Sequence, residues 1–350
     1  MEMKYFLVFV GISVVALTSM TCHAPTQPSS NSADTTSNNW TFTETMLGGA
    51  SGSNLYDVAI VNDTDAWAVG EIYSDSSVQF GYPPDVIAEW NGTTWHPSPL
   101  NYVYEGQSHP ISSLTGIRID GGQFWLAGGS IFTWDGTSPQ APLVFSRLRL
   151  QNQNATIEKL EVLSNTSVYG FGTFGTIVHF NGSTWGILAN NSSLGVQDIY
   201  GTDGMVLAIA SDPGESVDKS ILQINGTTVT QLSTAGIEWP LSSVWSVPGH
   251  YYVVGQGIYE KTSLSQSTWQ EDSVDTVDFF SCIRGNAWND FFVAGGYGQL
   301  LHFNGKSWRS YQDVLGLQQG GIAGIAVKGN LMIGVGYLGS KAVAFVGKRS

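Results

Sequence analysis

Residues 168–185 read VYGFGTFGTIVHFNGSTW, and residues 292–308 read FVAGGYGQLLHFNGKSW. Both stretches contain an apolar run that ends in Gly, a second apolar run, an Asn-Gly step and then a Trp. Residues 66–95 follow the same plan around a long insertion and end in AEWNGTTW. A unit that recurs along a chain at a regular distance indicates a repeat architecture, in which each copy folds as one supersecondary element.

The Asn-Gly steps mark the places where two strands turn back on each other. Asn-Gly favours the positive φ of tight hairpins, and each copy lies between β-rich runs. The copies stand at Asn91, Asn181, Asn225 and Asn304. The Trp that follows recurs at about 40–45 residues, the period of propeller blades, when the longest interval is counted as two units. This landmark stands at Trp95, Trp185, Val229 in one copy, Trp269 and Trp308, with a missing Trp expected near position 139 in a degenerate second unit.

The first strand of each unit can be counted along the chain, and the count is seven. These strands are predicted around Val58, Ile117, Leu160, Ile199, Val244, Cys282 and Ile325. The chain ends at Ser350 before another Trp appears, whereas Trp40-Thr41-Phe42 has the pattern of the missing last strand. Pairing of the two ends would remove the strand edges that an open array exposes. We therefore predict an all-β, seven-bladed β-propeller over residues 39–350, closed by an N-terminal strand that completes the last blade.

Two features of the units resemble known repeat families. Gly-Gly pairs begin at Gly128 and Gly295, after an apolar strand and before a later Trp, and in this they resemble kelch repeats. The Asn-Gly-x-x-Trp ending resembles more closely the repeats of secreted bacterial propellers of unassigned role. The resemblance covers residues 39–350 and implies a fold without implying an activity. In such propellers the first strands line a central channel, and the connections on one face usually hold the site.

The N-terminal residues are typical of an export signal. Lys4 precedes an apolar run, Tyr5 to Leu17, that is too short to span a bilayer comfortably. Cys22 stands where a lipoprotein signal places the thiol that receives lipid; simple cleavage and an uncleaved anchor are the alternatives. Residues 23–38 are polar and predict a disordered tether. We expect residues 1–22 to export the protein to the cell envelope or outer surface, where lipid on Cys22 would anchor it to a membrane.

Composition excludes several classes of function. The formal net charge is −14 with only 14 Lys and Arg, so a nucleic-acid backbone would be repelled. The sequence has no phosphate loop, dinucleotide fingerprint, Ser-His-Asp motif or zinc-like His cluster, and we therefore predict no cofactor and no metal. Asp212, Glu215 and Asp218 lack EF-hand spacing and are interpreted as a solvated turn. Two Cys cannot form a disulfide framework, and Cys282 is predicted to be a buried structural thiol.

The longest connections on the predicted site face belong to the first blade, over residues 71–85 and 101–113. They combine aromatic rings with acidic neighbours, which can stack on a sugar or grip a peptide. The candidate binding residues are Tyr73, Asp75, Tyr82, Asp85, Tyr102, Tyr104, Glu105 and His109, together with Glu238 and Trp239 between the fourth and fifth blades. The alternative is that these Tyr-rich insertions only cover the flank of the blade.

A second group of acidic residues lies at or just before the first strands, namely Asp57, Glu161, Asp198 and Asp278. They are candidates for paired carboxylates at the channel mouth, as glycoside chemistry requires, or for groups that hydrogen-bond the backbone of neighbouring blades. No catalytic residue is assigned. The sequence favours a surface-anchored binding or scaffolding propeller that recognises a glycan, peptide or protein. The alternatives are a carbohydrate-active enzyme, either a glycoside hydrolase or a lyase, and an assembly factor for a membrane complex.

Overall fold

The computed structural model describes residues 35–152, 154–189, 192–202, 204–212, 218–272, 274 and 279–350. The predicted export segment 1–22 with Cys22, most of the predicted tether, Glu215 and Asp278 lie outside the described residues. Among the described residues, helices are limited to α1 (Asp75–Phe80), α2 (Gln312–Leu315) and a 3₁₀ turn at Arg147–Arg149. None of them is long and apolar enough to cross a bilayer.

The described residues form seven four-stranded antiparallel sheets, which are the blades of a propeller. The first blade contains β2 Asn54–Asn62, β3 Asp65–Ile72, β4 Asp85–Trp90 and β5 Trp95–Ser98, and the second contains β8 Gly116–Asp120, β9 Gln123–Gly128, β10 Ser130–Trp134 and β11 Leu143–Phe145. The third blade contains β12 Ile157–Ser164, β13 Ser167–Gly172, β14 Ile177–Phe180 and β15 Trp185–Ile187. The fourth contains β16 Val196–Thr202, β17 Met205–Ser211, β18 Lys219–Asn225 and β19 Thr228–Leu232. The fifth blade contains β20 Leu241–Val247, β21 His250–Gly255, β22 Gly257–Lys261 and β23 Gln270–Glu271. The sixth contains β24 Phe280–Ala287, β25 Asp290–Gly295, β26 Leu300–Phe303 and β27 Trp308–Ser310. The seventh contains β28 Gly320–Lys328, β29 Leu331–Leu338, β30 Lys341–Arg349 and β1 Trp40–Leu47. A separate two-stranded hairpin pairs β6 Asn101–Tyr104 with β7 Gln107–Pro110.

The ring closes as predicted, because β1 pairs with β30 and completes the seventh blade. Trp40 stands opposite Arg349, whose guanidinium carbon lies 4.9 Å from the centre of the indole. The indole also packs edge-on against Phe292 of the sixth blade at a centroid distance of 5.0 Å. The N-terminal strand is therefore held both by sheet pairing and by packing on the preceding blade.

The Gly that ends the second strand of most units has a steric cause. In six of the seven first strands the pairing with the second strand shifts by one residue near its start, as between Ile157 and Lys159. Such a bulge pushes a backbone carbonyl toward the neighbouring strand. A Cβ at Gly172 would overlap the carbonyl oxygen of Thr156, and Gly70 and Gly295 meet the same obstacle. The repeat therefore keeps a residue without a side chain at this position.

In three of the four Asn-Gly turns, the Asn side chain accepts hydrogen bonds from the backbone of the turn itself. The Asn181 Oδ1 accepts hydrogen bonds from the amides of Ser183 at 3.0 Å and Thr184 at 2.9 Å, and Gly182 has a φ of 89°. In the second blade Asp135 accepts the same two bonds, from the amides of Thr137 and Ser138. This substitution hides the turn from a search for Asn-Gly. The expected Trp near position 139 is replaced by a longer connection, and the outer strand β11 begins only at Leu143.

Apolar side chains from adjacent blades form the core between them. Between the first two blades, Trp67 packs edge-on against Phe124 and Trp134 at centroid distances of 5.3 and 5.2 Å. Cys282, on the first strand of the sixth blade, is buried, and this burial raises the pKa of its thiol to about 12. A thiol with so high a pKa is a weak nucleophile near neutral pH, in agreement with the structural role predicted for it.

The ring has two faces with different connections. The loop face carries the connections from second to third strands and from one blade to the next, including residues 73–84 and the hairpin β6–β7. The turn face carries the connections from first to second and from third to fourth strands, including the turns at Asn91, Asn181 and Asn304. Because the strands of each blade alternate in direction, every first strand runs from the loop face to the turn face.

Candidate functional site

The central channel is lined by the first strands and contains two arginines that the sequence analysis did not single out. The Arg118 guanidinium contacts Asp57 at 2.8 Å and Glu161 at 3.3 Å, and so joins the first three blades. Arg284 contacts Asp198 at 2.8 Å. A sequence signal exists, since both arginines directly follow an isoleucine inside a predicted apolar strand, where an unpaired charge is rare.

Two of the channel carboxylates, Asp57 and Asp198, also accept hydrogen bonds from the backbone of neighbouring blades. Asp57 accepts a hydrogen bond from the Ile117 amide at 3.2 Å, and Asp198 accepts one from the Val244 amide at 3.2 Å. Asp198 additionally accepts a bond from the Ser243 hydroxyl. These contacts correspond to the structural alternative that the sequence left open for Asp57 and Asp198.

Burial and ion pairing act in opposite directions on the channel carboxyls. Burial raises the pKa of Glu161 more than Arg118 lowers it, so the pKa lies above its ordinary value. Burial also acts to raise the pKa of Asp198, but Arg284 and the hydroxyl of Ser243 outweigh it and lower the pKa. Next to these groups, at the turn-face end of the channel, lies a cavity of about 270 Å³ that Tyr200 and Trp245 also line.

The first predicted loop forms a short helix on the loop face. Ser74 caps α1 through a reciprocal pair of hydrogen bonds with Ser77, and Asp75 lies in the first helical turn. Phe80 and Tyr82 follow with 62% of their surface exposed, and their rings lie 5.8 Å apart. Tyr73 and Asp85, the remaining predicted residues of this loop, are less available to a ligand. The Tyr73 hydroxyl donates to Glu71 at 3.1 Å, and Asp85 is half-buried, which raises its pKa.

The second predicted loop is the hairpin β6–β7. Glu105 and Gly106 form its turn with φ values of 50° and 78°, which gives a two-residue turn of the I′ kind. Tyr102 stands opposite His109, and their ring centroids are 5.5 Å apart. The Tyr102 ring also packs at 5.4 Å from Phe132 of the second blade. The structure therefore brings Tyr102, Glu105 and His109 together with Tyr104 in one element.

Glu238 and Trp239 belong to a different part of the loop face. They lie between the fourth and fifth blades, whereas the hairpin lies between the first and second. Trp239 is 44% exposed, and the Lys219 ammonium donates to the backbone carbonyl of Glu238 at 3.0 Å. The two groups of predicted residues share a face but do not form one compact site.

A groove of about 490 Å³ lies beside the hairpin. We call it the hairpin groove; its lining includes Tyr102, Tyr104, Ser130, Phe132, Leu143, Arg147, Leu148, Thr156 and Glu158. Its volume lies within the roughly 300–1,000 Å³ of typical ligand clefts. Sequence reasoning found the tyrosines of one wall but missed Arg147 and Leu148 of the other. Those two residues lie beside the degenerate second blade, where the repeat gave no strand boundaries.

Exposed apolar side chains are concentrated on the loop face. The described residues include fourteen large hydrophobic side chains that are exposed, and of these Trp288 alone lies on the turn face. The other thirteen lie in loop-face connections or at strand ends that reach this face: Met46, Val78, Phe80, Tyr82, Val103, Tyr104, Leu148, Phe174, Ile187, Trp239, Tyr297, Val314 and Tyr337.

The predicted acidic turn of the fourth blade provides no metal site within the described residues. Asp212 and Asp218 are described, whereas Glu215 between them is not. No group of three or more His, Cys, Asp or Glu side chains with a metal-binding arrangement occurs in the part of the chain that the structure describes.

The propeller is similar to several solved structures, although no family model and no curated protein matches the sequence. A structure of YCF48 bound to D1 peptide superposes with a TM-score of 0.64 at 16% identity, over 90% of this chain and 98% of that one. YCF48 from Cyanidioschyzon merolae gives 0.60 at 13% identity, over 88% and 98%. The WD40 propeller domain of Doa1 gives 0.60 at 15%, over 87% and 96%. At these identities the similarity shows the propeller fold alone, and the kelch-like resemblance stays a prediction.

Proposed function

We propose that this chain is a binding or scaffolding propeller that recognises a peptide or protein segment through its loop face. One observation carries the proposal: thirteen of the fourteen exposed large hydrophobic side chains among the described residues lie on this face. Single exposed apolar residues are normal on any protein surface, but their concentration on one side is typical of interaction surfaces. The turn face of the same ring provides the internal comparison.

The construction of the molecule suits such a role. Four-stranded blades with shared cores form a rigid frame, and the loop-face connections vary from blade to blade in length and composition. Variable loops on a rigid frame are a common way to build a binding site. One of the similar structures, that of YCF48, contains a bound D1 peptide, which supports a peptide as the class of partner for the same fold.

The contacts of Asp57 and Asp198 do not favour the enzyme alternative. A glycoside hydrolase needs two carboxyls that are free to act as acid and as base or nucleophile. Asp57 and Asp198 are each bound by an arginine and by a backbone amide of the next blade. These contacts join neighbouring blades and stabilise the ring. We assign the two aspartates no catalytic role.

We further propose that the protein is exported and held at the cell envelope through Cys22. The first described residues lie at the turn face, where the Thr36 amide donates to the carbonyl of Asn304 at 3.0 Å. Mass spectrometry of the membrane fraction should find a lipid-modified Cys22; a Cys22→Ser variant that stays fully membrane-bound would contradict the proposal. Whether the partner belongs to a membrane complex, as for an assembly factor, depends on the partner that is captured.

A peptide-selection experiment tests the proposed function. The immobilised full chain is used to select binders from a phage-displayed random 12-residue library, and the enriched peptides are measured by fluorescence polarisation. We expect the triple variant Phe80→Ser, Tyr82→Ser, Tyr104→Ser to weaken their binding by about tenfold or more, since exposed aromatic residues often dominate binding energy. The turn-face variant Trp288→Ser is the matched control and should bind like the unmodified chain.

Two outcomes would overturn the proposed function. The first is a selection that enriches no peptide above a protein-free surface, and the second is equal binding by the triple variant, with circular dichroism confirming that both proteins are folded. A glycan array probed with the same protein gives the third comparison. Glycan binding without any peptide binding would replace the peptide by a carbohydrate as the partner.

A further inference from the structure

The hairpin groove is built from elements that are held in place. The backbone of Asn101 bonds the second blade on both sides, because its amide donates to Pro139 at 3.1 Å and its carbonyl accepts from Ala141 at 2.8 Å. Tyr102 packs on Phe132 in the same blade. The tyrosine wall of the groove is therefore formed before any ligand arrives, and a ligand pays little ordering cost on this side.

The opposite wall is the 3₁₀ turn Arg147–Arg149. The Ser146 side chain accepts a hydrogen bond from the Leu148 amide, and the Arg147 amide donates to the Ser130 hydroxyl at 3.1 Å. Leu150, directly after the turn, is buried. The backbone of Arg147 and Leu148 is thus fixed, while both side chains are exposed and Leu148 leaves 58% of its surface uncovered.

Arg147 differs in its charge environment from the three described arginines that pair with carboxylates. The chain has 28 acidic residues against 14 Lys and Arg, and Arg118, Arg284 and Arg349 are each paired with an aspartate. Among the described residues, no carboxylate pairs with the Arg147 guanidinium. Glu158 also lines the groove, but it forms no ion pair with Arg147. The groove therefore combines exposed aromatic and aliphatic side chains, such as Tyr104 and Leu148, with a guanidinium that no described carboxylate pairs.

From this combination we infer that the hairpin groove binds an extended acidic segment of a partner protein. Apolar or aromatic side chains of the segment pack between Tyr104 and Leu148, and a carboxylate of the segment accepts hydrogen bonds from the Arg147 guanidinium. A guanidinium and a carboxylate form paired, charge-assisted hydrogen bonds that are stronger than neutral ones. The inference rests on the proposed function and adds the location of its site and the chemistry of its partner.

Matched peptides test the charge preference directly. Fluorescein-labelled decamers with one Tyr and one Leu are synthesised in triplets that differ only by Glu, Gln or Lys at one position, and their dissociation constants for the full chain are measured. We expect the best Glu peptide to bind about tenfold more tightly than its Gln counterpart. The variant Arg147→Glu should reverse the order, so that the Lys peptide binds best. Leu148→Ser should weaken all three members of a triplet alike.

The variant Lys306→Glu changes the net charge by the same amount as Arg147→Glu but lies on the turn face, where its side chain is exposed. It should leave the preference for Glu intact. A preference for Lys in the unmodified chain, or a preference for Glu that survives Arg147→Glu, would overturn the inference. Peptides that bind without any charge preference, but lose binding in the triple loop-face variant, would overturn this inference alone and leave the proposed function standing.

Discussion

The loop face and the turn face of this propeller are made by the same repeat, yet they differ in almost every respect. Four connections of the turn face repeat one solution, in which an Asn or Asp side chain accepts the amide hydrogens of its own turn. The loop face uses a different device in each connection, among them a capped helix, a two-residue hairpin and a 3₁₀ turn. The repeat thus constrains the turn face and leaves the loop face free to vary, and most of the exposed apolar side chains lie on the loop face.

The comparison also separates what holds the ring together from what can bind. The channel ion pairs join the blades, and the closure of the ring is fixed at the turn face. There the His302 Nδ1 lies 2.6 Å from Asn38, its Nε2 lies 2.8 Å from Asp290, and Arg349 contacts the same aspartate at 2.7 Å. Changes to these groups should alter stability and leave the binding face intact.

The largest effect is expected in the channel, which belongs to neither face. Asp198→Ala would leave Arg284 buried without its partner, and we expect the free energy of unfolding to fall by about 3–5 kcal/mol. Urea denaturation followed by tryptophan fluorescence measures this change. The double variant Asp198→Ala, Arg284→Leu removes both charges and should recover part of the loss. A single variant as stable as the unmodified chain would show that the ion pairs do not hold the blades together.

A pH-dependent effect is expected at the ring closure. Burial acts to raise the pKa of Asp290, but bonds from His302, Arg349 and Asn286 outweigh it and lower the pKa to about 2. A carboxyl whose pKa is lower in the folded than in the unfolded state stabilises the fold above about pH 4, and this contribution is lost as the pH falls toward 2. We expect the loss to be about 2 kcal/mol.

The measurement compares urea unfolding of the unmodified chain and of Asp290→Asn at several pH values between 6 and 2. The variant should be less stable at pH 6 and should lack this part of the pH dependence, so the two curves converge in acid. Parallel curves over the whole range would contradict the role given to Asp290.

The smallest effect is expected on the turn face itself. The Asn304 side chain accepts bonds from the amides of Lys306 at 3.1 Å and Ser307 at 2.9 Å, so Asn304→Ala should cost about 1 kcal/mol. Asn304→Asp is the matched control, because Asp135 already makes these bonds in the second blade. Thermal unfolding should rank the control close to the unmodified chain. An alanine variant of equal stability would show that the turn chemistry is dispensable.

The site was only partly accessible to sequence reasoning. Tyr102 and Tyr104 were found because they stand in a long insertion of an otherwise regular repeat. Arg147 and Leu148 were not found, since the repeat pattern is lost beside the degenerate second blade and does not predict which side chains of the turn face the groove. Arg118 and Arg284 were also passed over, because the partners of an arginine come from other blades and sequence distance says nothing about them.

The sequence by itself determined the number of blades, the hairpins of the units that keep the Asn-Gly step and the closure of the ring by the N-terminal strand. Glycines and Asn-Gly turns act through local backbone sterics and local hydrogen bonds, so they leave a periodic trace in the chain. Tertiary structure alone decided which side chains meet in the channel, which residues form the hairpin groove, and that apolar surface concentrates on one face. These features depend on contacts between residues far apart in sequence, and side chains that meet only in the folded ring need not recur with the repeat.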